Sequence, residues 1–526
     1  MNKSEHSASR RGECRMSNVE FVARTASREG AAFSIRHSTL LLQALAALLC
    51  AGSSLCPAAP PAAKRGDWPM WGGSVDRNMV SDETGMPTEW DARSKKNIKW
   101  VAPLGSQTYG NPVIAGGKIF VGTNNNGELR PKIKGDKGVV VCVDEKTGKF
   151  LWQATHDKLP TGQVNDWPEQ GICSTASADG DRVYYVSNRC ELVCADVEGF
   201  LDGDNDGPVT DEKYNEKEDA DIVWSLDMIE ELGVFPHNLA TSSPIVVGDM
   251  VYVITSNGVD EGHLNLPAPA APAFIGVNKK TGEVAWTRND PGKNTLHGQW
   301  SSPSYGVVNG KPQVFFAGGD GWLYSLDPAK GDPIWKYNMN PPDAKYVLGG
   351  RGTKSYIIST PVFFENKVFL CVGQDPEHGE GVGQFHCIDA TKTGDATGAA
   401  KLWSHGGNDF HRSLSTAAVR DGLVYACDLS GFLYCFDLKT GERLWRADLE
   451  AAIWGSPYVV DGKVMLGNED GDVYVFKHGR KMEKLAVNNL ESSVYTTPVA
   501  ANGVLYITNR RALYAIQAGA GGGQVK

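Results

Sequence analysis

Imidazoles and carboxylates crowd into a few segments of this 526-residue chain. The two densest are Asp375-Pro376-Glu377-His378-Gly379-Glu380 and Asp260-Glu261-Gly262-His263. Each offers nitrogen and oxygen donors that could hold a divalent metal, although neither has the spacing of an established ligand motif. His237, His297 and His411 lie in similar polar stretches, with Arg351 and Arg412 as cationic neighbours and Trp167 and Trp300 as aromatic surface. A single loop histidine more often completes a hydrogen bond than ligates a metal, so these residues carry weight as a group. A third set, Asp202-Gly203-Asp204-Asn205-Asp206-Gly207, alternates carboxylates ahead of a glycine as calcium loops do, which makes Asp202, Asp204 and Asp206 candidate calcium ligands. Lys213 stands where an EF-hand carries its bidentate Glu, so the segment is not an EF-hand, and a solvated acidic loop is the alternative. There is no G-x-S-x-G elbow, no H-E-x-x-H and no C-x-x-C-H, and no catalytic residue is assigned.

Something must hold these groups in place, and the chain is written in repeats. Val143-Asp144-Glu145-Lys146-Thr147-Gly148-Lys149-Phe150-Leu151-Trp152 returns as Phe436-Asp437-Leu438-Lys439-Thr440-Gly441-Glu442-Arg443-Leu444-Trp445. The spacing recurs at Asn278/Gly282/Trp286 and Asp327/Gly331/Trp335. Each copy opens on small residues before an apolar strand: Asn111-Pro112, Ser174-Thr175-Ala176, Ser243-Pro244, Ser302-Pro303, Thr360-Pro361, Thr416-Ala417, Ser456-Pro457 and Thr497-Pro498. Two more strands follow, then a D-x-x-T-G turn whose glycine supplies positive φ, then a fourth strand. Four short strands of this kind make one propeller blade, and a repeat that cannot bury its own apolar face must stack on its neighbours. The eighth copy ends at Leu513-Tyr514-Ala515-Ile516 without a fourth strand, and an unpaired fourth strand, Asn97-Ile98-Lys99-Trp100, stands at the front. The expectation is an all-β, eight-bladed propeller over residues 67–517, closed by that N-terminal strand so that no sheet edge stays open. Seven blades is the alternative count, because the seventh fourth strand has lost its Trp. Trp100, Trp152, Trp224, Trp286, Trp335, Trp403 and Trp445 are expected to pack over the turn of the neighbouring blade.

The A-x-D-x-x-T-G-x-x-x-W pattern resembles the tryptophan-docking repeat of pyrroloquinoline quinone (PQQ)-like propellers, and Asp67-Trp68-Pro69-Met70-Trp71-Gly72-Gly73 resembles the start of such proteins. The resemblance covers residues 66–517. It spans two kinds of protein: quinoprotein alcohol dehydrogenases, which are enzymes, and BamB-like outer-membrane assembly lipoproteins, which are scaffolds. The enzyme reading implies PQQ on the propeller axis, calcium or a lanthanide held by Glu/Asn/Asp, an Asp base and often an adjacent Cys-Cys pair. This chain has no Cys-Cys pair and aligns no such triad, and Gly318-Gly319-Asp320-Gly321-Trp322, though quinoprotein-like, is also ordinary blade sequence. The scaffold reading asks only for a rigid disc with exposed loops, though BamB-like proteins are shorter and lack these insertions.

In a propeller the second-to-third-strand loops and the blade-to-blade loops share one face. Most insertions fall there, in 124–137, 158–170, 228–238, 256–272, 289–299, 338–356, 373–383 and 406–412. A binding site on that face over blades two to six, taking envelope proteins or a small ligand, is therefore expected. Residues 1–52 read as a secretory leader, with the apolar run from Leu40 to Leu49 too short to span a membrane. Cys50 and Cys56 follow Leu where a lipid-anchor signal has a small residue. Residues 53–66 read as a linker and 518–526 as a flexible Gly-rich tail. The net charge of −10 and the lack of a basic arm argue against nucleic acid. The chain therefore reads as an exported, non-catalytic binding scaffold of the periplasm or cell envelope; the alternative is a PQQ- and calcium-dependent dehydrogenase of alcohols or sugars. Cys142, Cys194, Cys387 and Cys435 hold the same small buried place in the repeat. Cys371 and Cys427 could pair with Cys387 and Cys435 across their hairpins in an oxidising compartment.

Overall fold

A computed structural model describes residues 66–374, 378 and 381–521. The leader 1–52, the linker as far as residue 65, Asp375, Glu377, Glu380 and residues 522–526 lie outside the described residues. Eight antiparallel sheets, each built on four strands, form the eight-bladed propeller. Blade 1 is Val113–Ala115, Lys118–Asn124, Lys137–Asp144 and Phe150–Asp157, and blades 2 to 7 repeat that order. Blade 8 takes Val499–Ala501, Val504–Thr508 and Ala512–Gly521 from the C-terminal end and Lys96–Pro103 from the front. Its pairing sets Trp100 opposite Ala515 and Lys96 opposite Gly521. The last strand thus runs on to Gly521, and the tail expected from residue 518 is strand over 518–521. Helix among the described residues is limited to Met228–Leu232 and short 3-10 turns, and none is long and apolar enough to cross a membrane.

The docking tryptophans explain how blades hold each other. The indole N–H of Trp100 donates to the Glu145 carbonyl in the turn of the next blade (3.2 Å), Trp152 to Val197 (3.2 Å), Trp224 to Lys279 (3.0 Å) and Trp286 to Pro328 (2.9 Å). Trp335, Trp403 and Trp445 do the same to Ala390, Leu438 and Gly479. The turn glycine is needed twice over: Gly148 has φ 71°, and a Cβ there would lie 2.5 Å from the Trp100 ring. Blade 7, which lacks this Trp, is covered otherwise. Trp90 is buried, its backbone N–H donates to the Asn488 side chain on that blade's fourth strand (3.0 Å), and the Asn488 amide donates back to the Thr88 carbonyl (3.1 Å).

The small residues that open each blade form an inner ring. The N–H of Asn111 donates to Thr175 Oγ1 (3.0 Å), that of Thr175 to Ser243 Oγ (2.9 Å), and that of Ser243 to Ser302 Oγ (2.9 Å). The series resumes from Thr416 to Ser456 and from Ser456 to Thr497, both 2.9 Å, and closes from Thr497 to Asn111 Oδ1 (3.2 Å). A short oxygen-bearing side chain at this position satisfies a buried N–H on the neighbouring blade, which is why the repeat keeps Ser, Thr or Asn there.

Residues 68–83 touch the inner part of every blade. Trp68 bridges Ile114, and the Pro69, Val75, Asp76 and Met79 carbonyls accept the N–H of Ala178, Tyr305, Phe363 and Val459. The Asn78 side chain exchanges two hydrogen bonds with the Val419 backbone, and Val80–Ser81 adds a parallel strand to blade 7. Glu83 accepts from Asn502 and Gly503 of blade 8. Arg77, fully buried, reaches blades 3 and 4. It donates to the carbonyls of Ser243 (2.9 Å), Pro244 (3.0 Å) and Pro303 (2.9 Å), and to that of Trp71 (2.8 Å).

Of the two readings of Cys371, Cys387, Cys427 and Cys435, the cross-strand disulfides are not formed; all four are buried free thiols. Register is the reason: Cys371 faces Phe385 while Cys387 faces Phe369, and Cys427 faces Leu433 while Cys435 faces Tyr425. Each member of either expected pair sits two positions out of step with the other. On the fourth-strand side Cys387 and Cys435 oppose Trp403 and Trp445, so they act as the small residue beneath the docking ring. Burial pushes the thiols of Cys371, Cys387 and Cys435 up to about 12, which leaves them unreactive at neutral pH.

Candidate functional site

The residue two positions before each inner-ring residue points to the same place. Tyr109, Cys173, Thr241, Trp300, Ile358, Leu414, Trp454 and Tyr495, one from every blade, all line an axial cavity of about 460 Å³. Ring residues Asn111, Thr175, Ser243, Ser302 and Thr360 form its polar wall, Trp167, Gln170, Asn238 and Leu239 join from the loops, and Trp71 comes from the N-terminal segment. Blades 7, 8 and 1 supply an aromatic wall: Tyr109 stacks on Tyr495 (5.1 Å between centroids), and Trp454 lies 5.1 Å from Tyr495 and 6.1 Å from Tyr109. Among the described residues the lining carries no Asp, Glu, Lys, Arg or His. Burial pushes the Cys173 thiol up to about 12 and raises the Tyr109 phenol as well, so neither adds charge at neutral pH.

That lining tests the enzyme reading. A calcium–PQQ pair requires carboxylate ligands for the cation and cationic partners for the acid groups of the quinone. The cavity offers amides, hydroxyls and aromatic faces instead, and these residues do not fit the pair. Asp320, in the quinoprotein-like segment, is committed to the turn. It accepts the Tyr324 O–H (2.7 Å) and the Trp322 N–H (3.1 Å) and is buried. Gly318 occupies the place of Asp428 in blade 6 and Asn468 in blade 7, and the Asp320 carboxylate moves into the space so left.

Burial raises the Asp320 pKa from 3.8 to about 6, against the hydrogen bonds from Tyr324 and Trp322. The unfolded chain therefore loses this proton at lower pH than the folded one, and stability falls as pH rises across that window and levels above it. A shift of that size corresponds to about 3 kcal/mol. Asp320→Asn is expected to gain on the unsubstituted protein by up to ~3 kcal/mol between about pH 4 and pH 7. Urea unfolding at the two pH values measures it, and an offset independent of pH would contradict the burial argument.

The sequence-derived candidates divide into groups. His237, His263 and His297 converge, with donor atoms within 4.8 Å of one another. The His378 ring lies 5.2 Å from that of His297, and Trp300 packs 5.9 Å from His237 and 5.2 Å from His297 while also lining the cavity. Asp260 builds the turn that presents His263: its carboxylate accepts the N–H of Leu264 (2.8 Å) and Asn265 (3.1 Å) and the Asn265 amide (2.6 Å). Glu261 and Arg351 are exposed. His411 pairs with the buried Asp428 (3.2 Å), and Arg412 donates to the His378 carbonyl.

The calcium candidates do not converge. Asp202 and Asp204 are exposed, Asp202 accepts the Asp204 N–H (3.1 Å), and Asp206 pairs with Arg182 (3.1 Å). Among the described residues the three histidines are the one group of His, Cys, Asp and Glu gathered closely enough to share an ion. A cation therefore has no shared oxygen shell at Asp202, Asp204 and Asp206.

A family model described as outer membrane protein assembly factor BamB matches residues 214–393 and 386–481, together about half of the chain. The outer membrane protein assembly factor BamB of Xanthomonas campestris is 27% identical over 198 residues, covering 32% of this chain and 47% of that protein. The factor of the same name from Yersinia pestis is 21% identical over 368 residues, covering 65% of this chain and 80% of that protein. The chain thus spans about half the length of the first relative and four-fifths of the second. Among solved structures, a europium-containing methanol dehydrogenase superposes with a TM-score of 0.58 at 13% identity, covering 86% of this chain and 98% of that one. At that identity the likeness is one of fold.

Proposed function

The chain belongs to the BamB-like family of PQQ-like propellers, and from that premise we propose that it is an exported, non-catalytic scaffold of the cell envelope. Its loop-rich face holds a segment of a partner polypeptide, in the manner implied by the name of the assembly factors it resembles. The observation that carries this reading is the uncharged axial cavity, with aromatic rings on one side and hydroxyl and amide groups on the other. Such a lining suits apolar side chains and backbone amides, and it offers nothing to polarise a reacting bond. Leu264, Tyr346 and Val347, 69%, 43% and 43% exposed, add apolar surface on loops of the same face.

Trp71, Trp167, Trp300 and Trp454 line the cavity, so intrinsic fluorescence reports its occupancy. An unfolded outer-membrane polypeptide is expected to shift that fluorescence saturably, and Trp454→Ala and Tyr495→Ala are each expected to weaken binding roughly tenfold or more. PQQ with calcium is expected to leave it unchanged. One-to-one quenching by PQQ that requires the metal would reverse the assignment in favour of a dehydrogenase.

A further inference from the structure

We propose that His237, His263 and His297 form a binding site for one borderline divalent transition-metal ion, zinc being the type ion. The proposal goes beyond the scaffold role and does not depend on what fills the axial cavity.

The three rings lie mutually close, with centroids 4.4 Å apart for His237 and His297, 4.5 Å for His263 and His297, and 4.9 Å for His237 and His263. Nε2 of His263 and Nε2 of His297 are 3.3 Å apart. Two nitrogens bound to one tetrahedral zinc at 2.0–2.1 Å stand about 3.3 Å from each other, so this edge of the site is already at ligand spacing. The other ring nitrogens of His237 and His297 carry outer contacts. His237 Nδ1 lies 2.8 Å from the Val259 carbonyl, which can only accept, so the proton is on Nδ1 and the lone pair on Nε2. His297 Nδ1 lies 3.0 Å from the Tyr356 hydroxyl, the kind of outer contact that orients a ligating imidazole.

The backbone is shaped around this cluster. His263 has φ 56° and is held by the Asp260 turn, and a Cβ on Gly349 (φ 78°) would strike the His263 Cβ at 2.7 Å. A Cβ on Gly258 would meet the His237 Cβ at the same distance. Two glycines thus let separate loops close onto two of the three histidines. An all-imidazole donor set selects zinc-class ions over calcium or magnesium, which take oxygen. The fourth position falls to water; His378 lies outside the donor group, with its Nε2 3.3 Å from the Gly349 carbonyl.

The test uses chelator-treated, untagged protein titrated with Co²⁺ and then Zn²⁺. The expected result is one Co²⁺ per chain with the visible ligand-field bands of a tetrahedral site, displaced by one Zn²⁺. His263→Gln lies on a half-buried turn and is expected to fold as the parent does, and both it and His297→Gln should weaken binding by at least the roughly 10–100-fold that losing even an outer partner of a ligand costs. His411→Gln, outside the cluster, should bind as the parent does. Failure to bind Co²⁺, or binding that both cluster variants leave unchanged, would overturn the site.

Discussion

Arg77→Ala is expected to cost about 3–5 kcal/mol of folding stability, the sum of its charge-assisted hydrogen bonds less what water recovers. Burial pulls the guanidinium below its ordinary value, to about 9, with Asp76 opposing the shift, so Arg77 is still charged at neutral pH. Its hydrogen bonds to Trp71, Ser243, Pro244 and Pro303 are therefore charge-assisted, each worth about 1.5–3 kcal/mol, and water entering the vacated space recovers part of the sum. Arg77→Lys is expected to recover less than half of the loss, because one ammonium cannot reproduce a planar fork directed at carbonyls of two blades and of the N-terminal segment. Because Trp71 lines the axial cavity, the Ala variant should also shift tryptophan emission before global unfolding. Denaturant unfolding measures the first effect, and a loss below about 1 kcal/mol would mean that water already serves these carbonyls.

The second large effect belongs to the docking rings. Trp152 is fully buried, packs on Phe120 at 5.8 Å between centroids, and donates to Val197 of the next blade. Trp152→Ala is expected to cost about 3–5 kcal/mol through lost burial and a cavity the rigid sheets cannot close. Trp152→Phe keeps most of the ring but leaves the Val197 carbonyl without this donor, which should cost about 1–2 kcal/mol. Trp403, only partly buried, should be less sensitive to the same substitution. Equal losses at both positions would assign the effect to the turn rather than to burial. Urea midpoints of the three variants decide between the two.

Much of this architecture is legible in the amino-acid sequence, because the repeat spells out its own period. D-x-x-T-G fixes the turn, Trp fixes the docking strand, and the orphan Asn97–Trp100 copy marks the closing blade. Residues 68–83 carry no such signal. They have no repeat and no alternation, and their contacts are mostly to backbone groups, which one residue type provides as well as another. The cavity wall was legible in principle. A position two before each opening pair reads Tyr109, Trp300, Trp454 and Tyr495 in four blades, a pattern visible only once the opening residues are known to ring the axis. The histidines stood out singly, but 237, 263 and 297 are far apart in sequence, and only the shared face of three loops makes them neighbours. The cysteine pairing failed on a register of two residues, which hydrophobic pattern alone does not set when both faces of a strand are buried.

The closing strand also determines when the protein can be finished. Asn97 and Gly519 meet across 422 positions of chain, so the N-terminal strand of blade 8 must wait for the last strand of the chain. Contacts of such separation form late and slowly. A chain synthesised from its N-terminus holds Lys96–Pro103 without a partner until Ala512–Gly521 exists. Any product that stops short leaves the final sheet with an open edge, ready to pair with whatever strand it meets. Completion is therefore a single late event, and a truncated molecule announces itself to proteases and chaperones by the edge it cannot cover.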